Sequence, residues 1–245
     1  MTQPAPILLE ICVDTPAGLE AAIAGGADRI ELCAALEVGG LTPSPGLLRL
    51  AGERALPVRA MIRPRAGHFV FSAAETYVML REIDAARAAG MTGVVIGAMT
   101  AAGALDVALL GILAAHAEGL DVTLHRAVDL LVDPLAAVDI AVALGLATIL
   151  TSGGARLAQD GMATIAAMQA RAAGRIEILA GSGITAANAA DIVAGTGVTA
   201  IHASCGRSVE ATDAKAVALG FASARQRETD PILVENLRAA LAPAR

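Results

Sequence analysis

Aromatic side chains are almost missing from this 245-residue chain, which has no Trp, one Tyr and three Phe. Its core must therefore be built from Ala, Leu, Val and Ile, and single-stranded nucleic acid finds no stacking platform. Basic residues are few as well. Lys and Arg total 18 against 24 Asp and Glu, a formal net charge of −6, the reverse of the basic face that nucleic acid selects. Lysine occurs only as Lys215, outside every predicted strand. Schiff-base aldolase chemistry needs a lysine amine in the pocket, so that class is excluded. Three cysteines, Cys12, Cys33 and Cys205, cannot form a disulfide framework and point to a reducing cytoplasm. Residues 1–6 lack the basic and apolar regions of a signal peptide. The longest uncharged stretch, 88–105, is interrupted by Gly90, Gly93, Gly97 and Gly103. It reads as a turn and a buried strand, and no membrane contact is expected.

What the chain has in abundance is aliphatic carbon. Hydrophobic residues make up 56% and charged residues 17%, enough to cover a parallel sheet on both faces. Short β-branched runs alternate with Ala-rich helical segments about eight times. The strand candidates are 7–13, 29–33, 58–63, 93–98, 121–126, 147–151, 176–180 and 199–204. No two lie close enough for a hairpin, so the sheet should be parallel. Thr15-Pro16, Ser44-Pro45, Asp133-Pro134 and Asp230-Pro231 each put a capping oxygen before a first-turn proline. Ser72 with Glu75 forms a capping box. The expectation is an α/β fold, a single (β/α)8 barrel of the TIM type spanning 1–245. Residues 206–229 should be irregular, and a last helix at about 231–242 should close the ring. An open doubly wound sheet is the competing arrangement, but no Gly-rich phosphate loop follows the first strand.

Polarity alternates along the strands. Leu9, Ile11 and Val13 oppose Glu10 and Cys12, while Ile30 and Leu32 oppose Glu31 and Cys33. Val58, Ala60 and Ile62 oppose Arg59, Met61, Arg63 and Arg65. Val122 and Leu124 oppose Thr123 and His125, and Ile201 and Ala203 oppose His202 and Ser204. Successive strand residues point to opposite faces. In a barrel the aliphatic face meets the helices, so Glu10, Glu31, Arg63, His125 and His202 converge on the interior and its C-terminal mouth. Buried charges must pair with each other or with a ligand.

Two chemistries suit this set. Cys12 and Cys33 each follow an inward Glu by two residues on adjacent strands, and thiolates select soft ions such as copper(I). Cys205 is a poor third ligand, because parity turns it away from Ser204 and His202. Alternatively, Arg63, Arg65, Arg126 and Ser152 could hold a carboxylate or phosphate. Gly181-Ser182-Gly183 and the Ser204 turn, with His202, occupy the usual barrel phosphate position. Glu10, Glu31 and His125 would then supply acid and base, making the chain an enzyme (lyase, isomerase or hydrolase) on a small phosphorylated or carboxylated metabolite. A binding protein that senses such a metabolite is a third reading. No nucleotide cofactor is expected. Apolar helix faces allow a homodimer without specifying one.

The blocks LLEIC (8–12), GADRIELCAA (26–35), GGLTPS (39–44), MIRPR (61–65), TLHRAVD (123–129) and LTSGG (150–154), with the His202/Ser204 strand, carry a resemblance. Over about residues 7–205 the chain resembles the copper homeostasis protein CutC family. That resemblance implies a (β/α)8 barrel, an association with copper tolerance, and copper(I) binding with Cys12 and Cys33 as ligands. The chain departs from the family at 64–72, which read PRAGHFVFS where the family tends to PRGGDFxYS. The 206–245 tail matches poorly.

Overall fold

The computed structural model of the chain describes residues 6–242. Residues 1–5, most of the N-terminal stretch considered above, and 243–245 lie outside the described part. Eight parallel strands close into a barrel in chain order: β1 (Leu8–Val13), β2 (Arg29–Leu32), β3 (Val58–Met61), β4 (Gly93–Ile96), β5 (Asp121–Leu124), β6 (Thr148–Thr151), β7 (Glu177–Gly181) and β8 (Ala200–Ala203). The ring closes where β1 pairs with β8, Glu10 opposite His202. A closed barrel leaves no unpaired strand edge.

Helices α1 (Pro16–Ala24), α2 (Pro45–Gly52), α3 (Ala73–Ala88), α4 (Val107–His116), α5 (Ala136–Ala143), α6 (Met162–Ala172) and α7 (Ala189–Thr196) follow the first seven strands. Their starts follow from local chemistry. The Thr15 and Ser44 hydroxyls accept from Gly18 N and Leu47 N, each ahead of a first-turn proline, and Ser72 and Glu75 complete a reciprocal capping box. Each such cap stabilises by about 1 kcal/mol. Asp133-Pro134 behaves differently. The Asp133 carboxylate accepts from Leu135 N at 3.0 Å and sets a turn, and α5 begins two residues after Pro134, at Ala136.

The aliphatic strand faces meet these helices. Leu9, Ile11, Val13, Ile30, Leu32 and Ile201 join Leu19, Leu48, Met79 and Ile83 in one continuous apolar layer. Burying each such side chain contributes roughly 1.5–3 kcal/mol. The opposite faces fill the interior with polar groups and two small apolar plugs, Cys33–Met61–Val95 and Leu150–Leu179–Ala200.

After β8 the sequence reading needs correction. Residues 206–229, expected to be irregular, form an antiparallel ribbon of β9 (Gly206–Glu210) and β10 (Arg225–Thr229), with a short α8 (Ala214–Ala218) between them. Both ribbon strands are largely exposed, so no apolar period marks them in the sequence. The chain then enters α9 (Pro231–Ala240), which Asp230 caps through Ile232 N and which packs on α1 and α7.

Candidate functional site

The C-terminal ends of the strands and the ribbon enclose a pocket of about 1600 Å³. Cys12, Glu31, Arg63, His125, Arg126, Ser182, Gly183, His202 and Ser204 line it, as do Phe69, Cys205 and Phe221. Register decides which groups meet. Because Glu10 opposes Arg29, Cys12 opposes Glu31 rather than Cys33. One ligand atom each from Cys12, Glu31 and His202 therefore lies within 4.8 Å of the other two.

Glu10 supports this trio from below. Its Oε1 lies 2.8 Å from His202 Nδ1, and its Oε2 receives the Arg29 guanidinium. Nε2 of His202 is left facing Glu31 Oε2 at 3.9 Å. Burial alone would raise the Glu10 carboxyl, but the hydrogen bond and charge of His202, with Arg29, outweigh it and bring it down to about 2. Burial would likewise lower His202. Cys12 and Glu31 beside it, and its hydrogen bond to Glu10, instead hold its imidazole well above the ordinary range. Glu31 is pushed up by burial and by the Glu10 charge.

Cys33 does not join the trio. It sits one step higher, its N–H donating to Val13 O, and its fully buried thiol donates to Glu31 Oε2 at 3.5 Å. Burial, then Glu31, raises that thiol well above its usual range. A Cβ on Gly40 would lie 2.9 Å from its sulfur, so only glycine leaves room for it. Cys205 also departs from its expected placement. Its left-handed backbone (φ 45°) breaks the strand alternation and turns it into the pocket lining. Burial, then Cys12, pushes its thiol up to about 12.

Across the pocket stands His125. Its Nδ1 accepts from Ala127 N at 3.1 Å, which leaves the hydrogen on Nε2. Burial, then the Arg63 charge, lowers it to about 4, so the ring is neutral. Its place depends on Gly97, where a Cβ would fall 2.1 Å from the ring. Phe69 packs against the ring at 4.7 Å, and the Arg63 guanidinium lies over Phe69 at 4.9 Å.

The other predicted anion ligands are dispersed. Arg65 is tied to Glu75 and to loop carbonyls at His68 and Val70, away from the pocket lining. Arg126 reaches the mouth but already pairs with Asp129 at 2.8 Å. Ser152 is fully buried and bonded to Asp129 and Arg126, and Gly181 belongs to the barrel wall, opposite His202. The Ser182 hydroxyl donates to Arg156 O. Asp129, the last residue of the TLHRAVD block, is a site residue that strand alternation does not mark, because it lies beyond β5. It accepts from Thr151 Oγ1, Ser152 N and Gly154 N and so fixes the end of β6. Phe69, too, was legible only as part of a loop.

A model of the CutC family matches residues 7–207. A family protein CutC from Sinorhizobium medicae is 53% identical over 235 residues, covering 96% of each chain. One from Caulobacter vibrioides is 48% identical over 237 residues, covering 96% of this chain and 97% of that one. The crystal structure of a CutC protein from Streptococcus agalactiae, named for copper homeostasis, superposes with a TM-score of 0.77 at 33% identity, covering 81% of this chain and 98% of that one. A thiamine phosphate pyrophosphorylase from Pyrococcus furiosus, at 17% identity and a TM-score of 0.59, shares the fold alone.

Proposed function

We propose that this chain, which belongs to the CutC family, captures copper(I) as cargo through Cys12 and His202 at the floor of its mouth. The observation that carries this reading is the approach of Cys12, Glu31 and His202 to within 4.8 Å of one another. A thiolate and an imidazole are the donors that suit a soft, low-coordinate ion, and a carboxylate is a poorer partner for it. Glu10 acts as the outer support. By accepting from Nδ1 it fixes the His202 ring with Nε2 on the Glu31 side, the carboxylate–histidine arrangement that orients metal ligands. Cys33, the second thiol that the family resemblance implies, stands behind Glu31. As a donor it would take the place of the Glu31 carboxylate.

Free thiols of this kind suit a reducing compartment, so the working place of the protein is taken to be the cytoplasm. The described residues contain no helix long and apolar enough to cross a membrane. Because His202 is held protonated, copper capture releases protons and weakens on acidification.

Anaerobic titration of the full chain against a coloured copper(I) chelator tests the proposal. The expected result is one ion per chain, with affinity falling at least about tenfold, or 1.4 kcal/mol, in Cys12→Ala and in His202→Gln. Unchanged affinity in both variants would refute the assignment.

A further inference from the structure

The pocket is far larger than one ion requires. About 1600 Å³ exceeds the usual range of small-molecule sites, roughly 300–1,000 Å³. Three of its lining residues, each at least nine-tenths buried, carry a polar atom with no partner among the described residues: Arg63 Nε, His125 Nε2 and Glu31 Oε1. Buried polar groups are normally satisfied, and each orphan costs about 1–3 kcal/mol; among the described residues one further such atom, Arg59 Nε, lies lower in the barrel.

Arg63 is also a buried cation without an anion. Its terminal nitrogens donate to the carbonyls of Val38, Gly40 and Gly67, and no carboxylate reaches it among the described residues. Of the other arginines lining the pocket, Arg126 pairs with Asp129, and Arg225 and Arg227 lie exposed to water on the ribbon; Arg65, off the lining, pairs with Glu75. A buried guanidinium left in this state calls for a counter-charge from outside the chain. The adjacent His125 Nε2–H adds a neutral donor, bridged to Arg63 through Phe69. One buried cation without a carboxylate partner and one neutral donor match a carboxylate better than a doubly charged phosphate. At the other pole, Glu31 Oε2 already accepts from the Cys33 thiol while Oε1 has no donor, so a hydroxyl supplies the single donor that is missing there.

We propose that the mouth binds a small hydroxy-carboxylic acid, its carboxylate held by Arg63 and His125 and its hydroxyl by Glu31. The site goes beyond copper capture, which uses Cys12 and His202, and a copper titration of the same preparation reports that reading separately.

Calorimetric titration of the metal-free full chain with glycolate, L-lactate and L-malate tests it. Propionate (no hydroxyl), propane-1,2-diol (no carboxylate) and glycerol 3-phosphate serve as comparisons. At least one hydroxy acid is expected to bind saturably, propionate about tenfold more weakly, and the diol not at all. Arg63→Gln should weaken binding by at least about tenfold. Because Arg63 also anchors loop carbonyls, His125→Asn is the second variant. It keeps an acceptor for Ala127 N but loses the Nε2–H, and it too should bind at least about tenfold more weakly. No saturable binding by any of the three acids overturns the proposal. So does wild-type affinity in His125→Asn, and so does tighter binding of glycerol 3-phosphate than of the acids.

Discussion

The lower half of the barrel interior and its mouth are built from the same residue types, yet they treat charge in opposite ways. In the lower half Arg29 binds Glu10 and, at 2.8 Å, Glu177, while Thr148 Oγ1 donates to Glu177 at 3.0 Å. Arg59 reaches Asp121 at 3.0 Å and the Thr123 and Thr148 hydroxyls at 2.8 Å. Among the described residues only Arg59 Nε is left over there. A few residues higher, Glu31, Arg63 and His125 are equally buried and each keeps an unpartnered atom. Packing explains the lower network, because paired ions fill a core of few aromatics. It does not explain the mouth, where the same chain leaves charge unmatched around an open pocket. Natural proteins accept such local instability where ligands bind.

The largest expected effect lies in the lower half. Arg29→Met leaves the buried Glu10 with His202 alone and deprives the part-exposed Glu177 of its cation, and should cost about 3–5 kcal/mol, read by urea unfolding. A loss under 1 kcal/mol would mean that the lower network is as dispensable as a surface pair.

Acidification separates the two regions next. His125 is depressed from 6.5 to about 4, so its neutral form contributes stability that is fully present above pH 6.5. The unfolded chain binds the proton first, and the contribution is lost as pH falls through 4. Its full size is about 3 kcal/mol. Glu10, at about 2 against 4.5, has the same sign but acts only below pH 4.5. Subtracting the stability curve of His125→Asn from that of the native chain should therefore isolate a slope between pH 6.5 and 4. A flat difference there would show that the ring is not held neutral.

Much of this architecture was readable from one sequence. The alternation Leu9-Glu10-Ile11-Cys12 assigns faces because a strand has a period of two, and the proline-linked caps at Thr15, Ser44 and Asp230 mark three helix starts. What escaped is set by geometry between segments. The stagger of β1 against β2 carries Cys33 one step above Cys12, and nothing within either strand announces it. The left-handed turn at Cys205 overrides parity in the same way. The ribbon of β9 and β10 is solvated on both faces, with Arg207 and Glu228 facing each other at 3.7 Å, so it lacks the apolar signature that marked the barrel strands. Arg65 and Arg126 look equivalent to Arg63 until Glu75 and Asp129 are seen to neutralise them.

Unfolding of Glu31→Gln in urea at neutral pH tests the contrast most directly. Glu31 is a carboxyl that burial and the Glu10 charge push upward, so the fold disfavours its charged form. Removing that charge should raise stability by about 1 kcal/mol. A loss comparable to that of Arg29→Met would contradict the account, since Glu31 would then be one more member of a structural ion network.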